Sequence, residues 1–172
     1  DDNIHFVGHN GLIGENVPLA VGFALGSSNK TICFFGDGAA EEDYVASSFG
    51  FASTHKLPVL FICEDNDLSI LTRTNIRRNW NLADVADSFN INSVDIADDP
   101  WTIAYYAKNM NLPALINIRT CRFLWHTGTG KDGPPEWDRL ERVKQRLTKI
   151  VSIPINFIED EIGVKITMIS VG

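Results

Sequence analysis

Residues 31–39 are Thr-Ile-Cys-Phe-Phe-Gly-Asp-Gly-Ala, and this stretch predicts the fold of the chain. The apolar run at 31–35 is typical of a parallel strand that is buried on both faces. Gly36, Asp37 and Gly38 supply a tight turn, and residues 41–56 have the pattern of a helix that crosses back over a sheet. A second apolar strand is predicted at 58–63. The order strand, turn, helix, strand predicts a βαβ unit with parallel strands.

The alternation of strands and helices continues on both sides of this unit. Asp99 and Pro100 are typical of a helix start, as N-cap and first-turn proline. The further predicted elements are a helix at 16–25, a helix at 82–89, a strand at 93–96, a helix from 100 to about 110, a strand at 113–119 and a charged amphipathic helix at 136–149. We therefore predict an α/β fold, a doubly wound and mostly parallel sheet with helices on both faces.

Two polar side chains follow the carboxyl ends of the first two predicted strands. Asp37 follows the first strand, and Asn66 lies twenty-nine residues later, after the second. Open α/β sheets bind ligands at this edge. Magnesium prefers a carboxylate, neutral oxygens and the phosphates of its ligand, and the glycines at 36 and 38 let the backbone approach a phosphate closely. The pattern predicts a site for magnesium and a diphosphate.

Each of these features also has a simpler interpretation. Gly-Asp-Gly alone is a common turn sequence, so the prediction depends on the joint pattern. Glu41 and Glu42 are interpreted as a solvated helix start rather than as metal ligands. A basic cluster downstream is interpreted as solvated, in preference to a contact with phosphate or with a partner; it consists of Arg73, Arg77 and Arg78.

Taken in order, these motifs resemble the thiamine diphosphate-dependent enzymes, and within them the α-type E1 subunits of 2-oxo acid dehydrogenases. Gly-Asp-Gly followed by Asn is the motif of that family. Three further segments are similar to E1 sequences and extend the resemblance to about residues 6–148. They are Asn10-Gly11-Leu12-Ile13-Gly14-Glu15-Asn16-Val17-Pro18-Leu19, Lys56-Leu57-Pro58-Val59-Leu60-Phe61-Ile62-Cys63-Glu64 and Thr120-Cys121-Arg122-Phe123-Leu124-Trp125-His126-Thr127.

The resemblance implies roles for individual residues. Asp37 and Asn66 would bind Mg²⁺ through their side chains, and Leu68 through its backbone carbonyl. His126 aligns with a loop histidine that contacts cofactor phosphate and assists acyl transfer, although its local sequence fits a packed or solvent-facing histidine equally well. The implied cofactor-binding positions are Gly11, Ile13, Gly36, Asp37, Gly38, Ala39, Asn66, Leu68 and His126.

The chain departs from the family pattern at four positions. Asp65 stands where the family usually has a first Asn, and Leu68 replaces a common Tyr. Cys121 and Trp125 replace other residues near the active-site loop, which puts recognition of the substrate and of a lipoyl domain in doubt.

The resemblance also implies an activity and partners. The family decarboxylates a 2-oxo acid and passes the acyl group to a lipoyl acceptor. Its activating Glu belongs to a separate pyrimidine-binding domain, and no segment of this sequence resembles that domain. We therefore expect a β-type partner subunit that supplies the Glu, in a hetero-oligomer, with a lipoyl acyltransferase as a further partner. The alternatives are a transketolase-like or carboligating enzyme on the same cofactor, and a non-catalytic subunit with a degenerate site.

Composition sets further bounds. With 172 residues and 44% hydrophobic content, the chain can form one well-packed domain. We place that domain at 1–149. Residues 150–172 are expected to be a strand-like extension, with strands at 153–158 and 164–169 that form a hairpin or pair with a partner.

Charge and cysteine content exclude several classes of function. The net charge of -7 argues against nucleic acid as a partner. No apolar run approaches membrane-spanning length. The three cysteines lack paired spacing and are interpreted as reduced core residues. The expected location is the cytoplasm, or the mitochondrial matrix if the organism is eukaryotic.

Overall fold

The computed structural model describes residues 6–8, 11–127 and 130–150, with the side chains of residues 148–150 excepted. The chain divides into two compact units, residues 1–120 and residues 121–172. Residues 151–172, which include the strands expected at 153–158 and 164–169, lie outside the described residues.

A parallel sheet of four strands forms the centre of the first unit. The strands are β1 (Thr31–Gly36), β2 (Val59–Asp65), β3 (Leu68–Ser69), β4 (Thr72–Arg73), β5 (Asn92–Ala97) and β6 (Ala114–Arg119). The sheet has the order β1-β2-β6-β5, and all its neighbouring strands are parallel. The central strands β2 and β6 are nearly continuous apolar runs because both of their faces are covered. β3 and β4 form a separate antiparallel hairpin.

Helices cover both faces of this sheet. They are α1 (Asn16–Ser27), α2 (Asp43–Thr54), α4 (Leu82–Ser88) and α5 (Pro100–Asn109). A helix of one turn, α3 (Thr74–Arg77), follows the β3–β4 hairpin. Apolar side chains of α1, α2 and α4 pack into one core, where the ring centroids of Phe49 and Phe61 are 4.8 Å apart. α5 packs against the opposite face through Ile103 and Tyr106. Burial of each large apolar side chain stabilises the fold by roughly 1.5–3 kcal/mol. The predicted doubly wound α/β fold is confirmed.

The predicted elements of the first unit are present with ends within two residues of those expected. The largest difference lies after the Gly-Asp-Gly turn. Ala39–Glu41 form a short 3₁₀ helix, Glu42 is extended with ψ of 135°, and α2 begins only at Asp43. The backbone N–H groups next to the turn therefore belong to the 3₁₀ helix and not to α2. The hairpin β3–β4 and the short helix α3 were not predicted.

The three cysteines are free, and two of them are buried in the sheet. Burial raises the pKa of the Cys33 thiol to about 12. Burial also raises the pKa of the Cys63 thiol well above its ordinary value, with the nearby carboxylate of Asp65 adding to the effect. Both groups are therefore protonated thiols at neutral pH and behave as small apolar core residues.

The second unit contains a loop and the last described helix. Leu124 and Lys131 form an isolated antiparallel bridge, and the Arg122 Nε donates to Asp132 Oδ2 at 2.5 Å. A 3₁₀ helix, Pro135–Trp137, precedes α6 (Arg139–Ile150). The charged helix predicted at 136–149 is thus present, with its α-helical part starting three residues later.

Candidate functional site

The carboxyl ends of β1 and β2 lie side by side at one edge of the sheet. Gly36, the last residue of β1, is in register with Glu64 near the end of β2. Asp37 therefore follows one strand end and Asn66 follows its neighbour. The two strands are neighbours in the sheet, and neighbouring strands lie about 4.8 Å apart. The structure thus brings the two predicted metal-binding positions to the same edge.

Asp37 is buried, with 2% of its surface exposed. Its Oδ2 atom accepts a hydrogen bond from the Thr74 hydroxyl at 3.2 Å and another from Arg77 Nη2. The backbone of Thr74 also donates to the Asp67 carbonyl at 3.2 Å. Thr74 therefore ties the Asp37 carboxylate to the residue that follows Asn66. A buried carboxylate is stable only with such partners.

Two of the three arginines interpreted as solvated are bound to carboxylates or to the backbone of this site, so that interpretation is wrong for them; Arg78 is buried and Arg77 is partly buried. Arg77 donates to Asp37 and also to Glu41 Oε1 at 2.6 Å. Arg78 donates to the Asp37 backbone carbonyl at 3.1 Å and lies 4.5 Å from the centroid of the Trp80 ring. Arg78 Nε is buried without a hydrogen-bond partner among the described atoms. These arginines bind the Gly-Asp-Gly turn.

Glu41 is likewise part of the site rather than a purely solvated helix start. Its side chain is 24% exposed and lies between Arg77 and Arg78, with the second contact at 3.6 Å. Only Arg73 fits the solvated interpretation, since its side chain is 62% exposed. The signal that could have revealed the contacts is the Arg77-Arg78 pair followed closely by Trp80 in a net-acidic chain. Such a pair needs either solvent or a buried carboxylate close by.

Asn66 begins a tight turn into the hairpin β3–β4. Its Oδ1 atom accepts from the backbone N–H of Leu68 at 3.0 Å, and Asp67 has a φ of +63°. Asparagine and aspartate tolerate and stabilise such turns. Burial opposes ionisation of Asp67, but hydrogen bonds from Arg73 and Thr74 outweigh it and lower the pKa of that carboxyl. The turn therefore fixes the position of the Leu68 backbone next to Asn66.

Gly38 makes the closest approach between the turn and the hairpin. A Cβ atom at this position would lie 2.6 Å from Ser69 Oγ and 2.9 Å from Ser69 Cβ. The backbone of Gly38 is helical, with φ of −67° and ψ of −40°, so its conformation alone does not require glycine. Glycine is needed here because the hairpin packs against it.

The loop before α1 lies beside the same turn. Gly14 has a φ of +78°, and a Cβ there would be 3.1 Å from the Ala39 carbonyl. The Tyr44 hydroxyl donates to the Ile13 carbonyl. Gly11 and Ile13 are exposed, so these two implied cofactor-binding positions lie on the surface, in the loop whose Gly14 approaches Ala39.

The substituted position Asp65 belongs to a polar network across three strand ends. Asp65 Oδ1 accepts from the Asp67 N–H at 3.1 Å, and Oδ2 accepts from Asn117 Nδ2 at 3.2 Å. Arg119 Nη1 lies 3.4 Å from Asp65 Oδ2 and also binds Asp95 through two nitrogens. Asn117 Oδ1 is buried without a hydrogen-bond partner among the described atoms. This network accommodates the carboxylate of Asp65.

The Arg119–Asp95 pair predicts an acid-sensitive contribution to stability. The hydrogen bond from Arg119 lowers the pKa of Asp95 below its ordinary 3.8, with burial acting in the opposite direction. A carboxyl group whose pKa is lower in the folded than in the unfolded protein stabilises the fold at pH values above the unfolded-state pKa. This stabilisation is lost as the pH falls through the folded-state pKa. Because Arg119 is 49% exposed, solvent limits the effect to about 1 kcal/mol or less.

We expect Arg119→Gln to lower the free energy of unfolding at pH 7, and we expect the gap from the wild type to close in acid, as the pH falls from 3.8 through the lowered folded pKa of Asp95. Urea unfolding at pH 7 and in acid measures this difference. Lys30→Gln, which removes an exposed cation elsewhere, is the matched control. A gap that stays the same at low pH contradicts the role assigned to Asp95.

His126 lies in the second unit, in the loop between the bridged residues Leu124 and Lys131, and is half-buried. The Trp125 N–H donates to the Gly130 carbonyl at 2.8 Å, which closes the loop on both sides of the histidine. The residue assigned from the resemblance therefore lies on a loop whose two ends are joined by backbone hydrogen bonds.

Comparison with known proteins gives the family. Residues 1–149 match the family model described as "Dehydrogenase E1 component". The chain belongs to the dehydrogenase E1 component family. Curated E1 relatives include the pyruvate dehydrogenase E1 component subunit alpha of Rickettsia prowazekii, which is 26% identical over 84% of this chain and 49% of its own length. The corresponding Rhizobium meliloti subunit is 28% identical over 84% of this chain and 48% of its own length.

The mitochondrial somatic-form E1 alpha subunit of Homo sapiens is 28% identical over 72% of this chain and 35% of its own length. The chain thus spans about half the length of the bacterial E1 relatives it matches.

Solved structures share the E1 chain's fold. Transketolase from Campylobacter jejuni matches with a TM-score of 0.56 and 26% identity, over 62% of this chain and 20% of the transketolase. A structure described as a thiamin diphosphate-dependent enzyme from Mycobacterium smegmatis matches with a TM-score of 0.52 and 23% identity, over 63% of this chain and 22% of its own. Within the described part of this E1 chain, no helix is long and apolar enough to cross a membrane.

The E1 site offers oxygen donors to a cation. Asp37 could contribute a carboxylate, Asn66 an amide oxygen and Leu68 a backbone carbonyl, and this hard donor set suits magnesium. Among the described residues, no group of three or more His, Cys, Asp or Glu side chains is arranged to hold a metal ion. A magnesium site of this kind needs only one carboxylate, because the phosphates of the ligand supply further oxygens.

Proposed function

We propose that this chain is the diphosphate-binding part of an α-type E1 subunit, in a thiamine diphosphate-dependent 2-oxo acid dehydrogenase. The observation that carries the proposal is the convergence of Asp37, Gly38 and the Asn66–Leu68 turn on one sheet edge, in a chain that belongs to the E1 family.

The proposed cofactors are thiamine diphosphate and Mg²⁺. Asp37, Asn66 and the Leu68 carbonyl hold the metal. The backbone around Gly36, Gly38 and Ala39 lies against the diphosphate, and Gly11 and Ile13 lie near the aminopyrimidine. A cationic guanidinium lies on the Asp37 carboxylate, which supports a site built to hold positive charge.

Thiamine diphosphate, when bound, supplies the nucleophilic carbon and the electron sink for decarboxylation of a 2-oxo acid. The residues of this chain bind and orient it. Gly38 lets the hairpin close against the turn, and the Asx turn at Asn66 holds the Leu68 carbonyl in place. His126 is proposed to contact phosphate and to assist transfer of the acyl group to a lipoyl acceptor.

The proposed partner is a β-type pyrimidine-binding subunit that supplies the activating Glu. Exposed apolar side chains at the positions proposed to lie near the aminopyrimidine support a partner-binding surface there. Leu12 is 69% exposed and Ile13 is 56% exposed. A lipoyl acyltransferase is the proposed acceptor partner. The proposed location is the cytoplasm, or the mitochondrial matrix in a eukaryote, in keeping with the bacterial and mitochondrial relatives.

The experiment that tests the function uses the chain together with its β-type partner. Binding of thiamine diphosphate is measured by calorimetry with Mg²⁺ and with EDTA, followed by assay of 2-oxo acid-dependent reduction of lipoamide. We expect binding only with the metal, and lipoamide reduction with at least one 2-oxo acid. A complex that binds no thiamine diphosphate in Mg²⁺ would instead be a degenerate, non-catalytic subunit.

A transketolase-like or carboligating enzyme is the second candidate. The structural match to transketolase at 26% identity favours it. The more extensive match to pyruvate dehydrogenase subunits, over 84% of this chain, favours the dehydrogenase. The two candidate activities differ in the molecule that accepts the fragment, a lipoyl group or an aldehyde. Carbon–carbon bond formation with an added aldehyde, in the absence of lipoamide reduction, would replace the first proposal by the second.

A further inference from the structure

Arg77 lies on the carboxylate that is proposed to hold the metal. Its Nη2 atom donates to Asp37 Oδ2, where the side chains are 12% and 3% exposed. The same nitrogen lies 3.0 Å from the Thr74 hydroxyl oxygen, which donates to the same carboxylate oxygen. Arg77 is thus the partly buried counter-ion of Asp37. A metal ion bound to Oδ2 would compete with the guanidinium for this carboxylate oxygen, because the two cations repel each other at this distance.

Arg77 has a second acceptor to which it can remain bound. Its Nη1 atom donates to Glu41 Oε1 at 2.6 Å, on the 3₁₀ helix that follows the turn. If Arg77 leaves Asp37, it therefore keeps this charge-assisted hydrogen bond at the edge of the same site, together with the one from Nε to the Thr72 carbonyl at 3.2 Å. Arg77 is also the last residue of α3, a helix of one turn, so a change of its side chain disturbs little regular structure.

Arg78 differs from Arg77 because it does not bind the Asp37 carboxylate. Arg78 binds the Asp37 backbone carbonyl rather than the carboxylate, and its guanidinium stacks on the Trp80 ring. Its side chain is 3% exposed. These contacts hold the turn and leave the Asp37 carboxylate to Arg77.

We propose that Arg77 changes partner at Asp37: it neutralises the carboxylate while no metal is bound, and when the carboxylate holds Mg²⁺ its guanidinium would leave Asp37 and donate to the diphosphate. This inference rests on the proposed function, since it assumes the metal–diphosphate site. It makes Arg77 a diphosphate-binding residue as well as a competitor of the metal. Guanidinium groups form strong paired hydrogen bonds with phosphate oxygens, so the released side chain has a suitable acceptor.

The two roles have effects of opposite sign, and this makes the proposal testable. Without Arg77 the metal alone binds more tightly, because no internal cation must be displaced. Without Arg77 the diphosphate binds less tightly, because a donor is lost. A residue that only supports the fold would weaken both interactions when it is removed.

The test uses the chain in complex with its partner subunit and Mn²⁺ as the probe, with free Mn²⁺ followed by electron paramagnetic resonance. We expect Arg77→Gln to lower the Kd for Mn²⁺ alone by at least about fivefold, the lower end of ordinary coupling between competing groups. At saturating Mn²⁺, we expect its Kd for thiamine diphosphate to rise by about tenfold. Lys30→Gln removes the same charge from an exposed position before β1, outside the site, and should change neither Kd.

Arg77→Gln leaves a buried carboxylate without its counter-ion, so the variant is also followed by thermal unfolding. We expect Mn²⁺ to raise its Tm by more than it raises that of the wild type. Arg77→Lys keeps the competing charge, and its Kd for Mn²⁺ should lie closer to the wild type than that of Arg77→Gln.

Equal or weaker Mn²⁺ binding by Arg77→Gln, with a Tm shift no larger than that of the wild type, overturns the change of partner and leaves the proposed function intact. Absence of Mn²⁺ and thiamine diphosphate binding in the wild-type complex overturns both.

Discussion

Replacement of Asp37 by alanine is expected to abolish metal-dependent binding of thiamine diphosphate, with a loss of affinity of at least about 100-fold. Residues that only orient metal ligands already change metal affinity by about 10–100-fold when they are removed. Asp37 is the one carboxylate in the proposed donor set, so its loss removes the charge on which the site depends. Calorimetric titration of the partner complex with thiamine diphosphate in Mg²⁺ measures the effect.

The fold should survive this substitution better than removal of Arg77. After loss of Asp37, Arg77 still has Glu41 at 2.6 Å and the Thr74 hydroxyl at 3.0 Å, so no buried cation is left unpaired. Asp43→Asn is the matched control, because it removes one negative charge from the exposed start of α2. Unchanged affinity in Asp37→Ala would mean that the diphosphate is held without this metal site, and the proposed function would fail.

The main elements of this fold are predictable because hydrophobic pattern and local turn signals agree. β1 and β2 are apolar runs that end at a Gly-Asp-Gly turn and at Asn66, so both the parallel pairing and the position of the site follow from the sequence. The start of α5 follows from Asp99, whose side chain accepts from the Thr102 N–H at 2.9 Å as an N-cap.

The parts of the site that the sequence did not predict depend on contacts between residues that are distant in the chain. β3 and β4 have only two residues each, too few for a periodic pattern, and their hairpin is held by the Asp67–Arg73 pair and by packing on Gly38. The residues next to Arg77 indicate a contact but do not identify its partner, since Asp37 lies forty residues earlier. Charged residues are mostly exposed, and a buried one can be predicted only when its oppositely charged partner is known.

Gly38→Ala is the second substitution for which we expect a large effect. The helical φ and ψ of Gly38 accept alanine, so the conformation of the backbone is not the obstacle. The new Cβ would overlap Ser69 Oγ at 2.6 Å and Ser69 Cβ at 2.9 Å. Rotation of the hydroxyl can relieve the first contact, but only movement of the hairpin can relieve the second. Overpacking of this kind costs about 1–3 kcal/mol.

That movement also carries Leu68, the residue before Ser69, away from Asn66. We therefore expect Gly38→Ala to weaken metal-dependent binding of thiamine diphosphate by about tenfold or more as well as to lower the free energy of unfolding, since 1.4 kcal/mol corresponds to a factor of ten. Urea unfolding and calorimetric titration measure the two effects. Gly22→Ala in α1 is the control, because a Cβ there meets no atom within 4 Å, and its stability should be unchanged or slightly higher.

Ser69→Gly supplies the compensating change, because it removes both atoms that the new methyl group would meet. The third neighbour of that methyl group, Arg77 Nη1, lies at 3.5 Å, which is an ordinary contact. We expect the double variant Gly38→Ala/Ser69→Gly to recover most of the stability and affinity that Gly38→Ala loses, a coupling that distant residues do not show. If the double variant binds no better than Gly38→Ala, the hairpin does not set the geometry of the site through this contact. In that case the glycine would serve only the approach of the diphosphate to the backbone, since a methyl group at residue 38 would obstruct the ligand whatever residue 69 is.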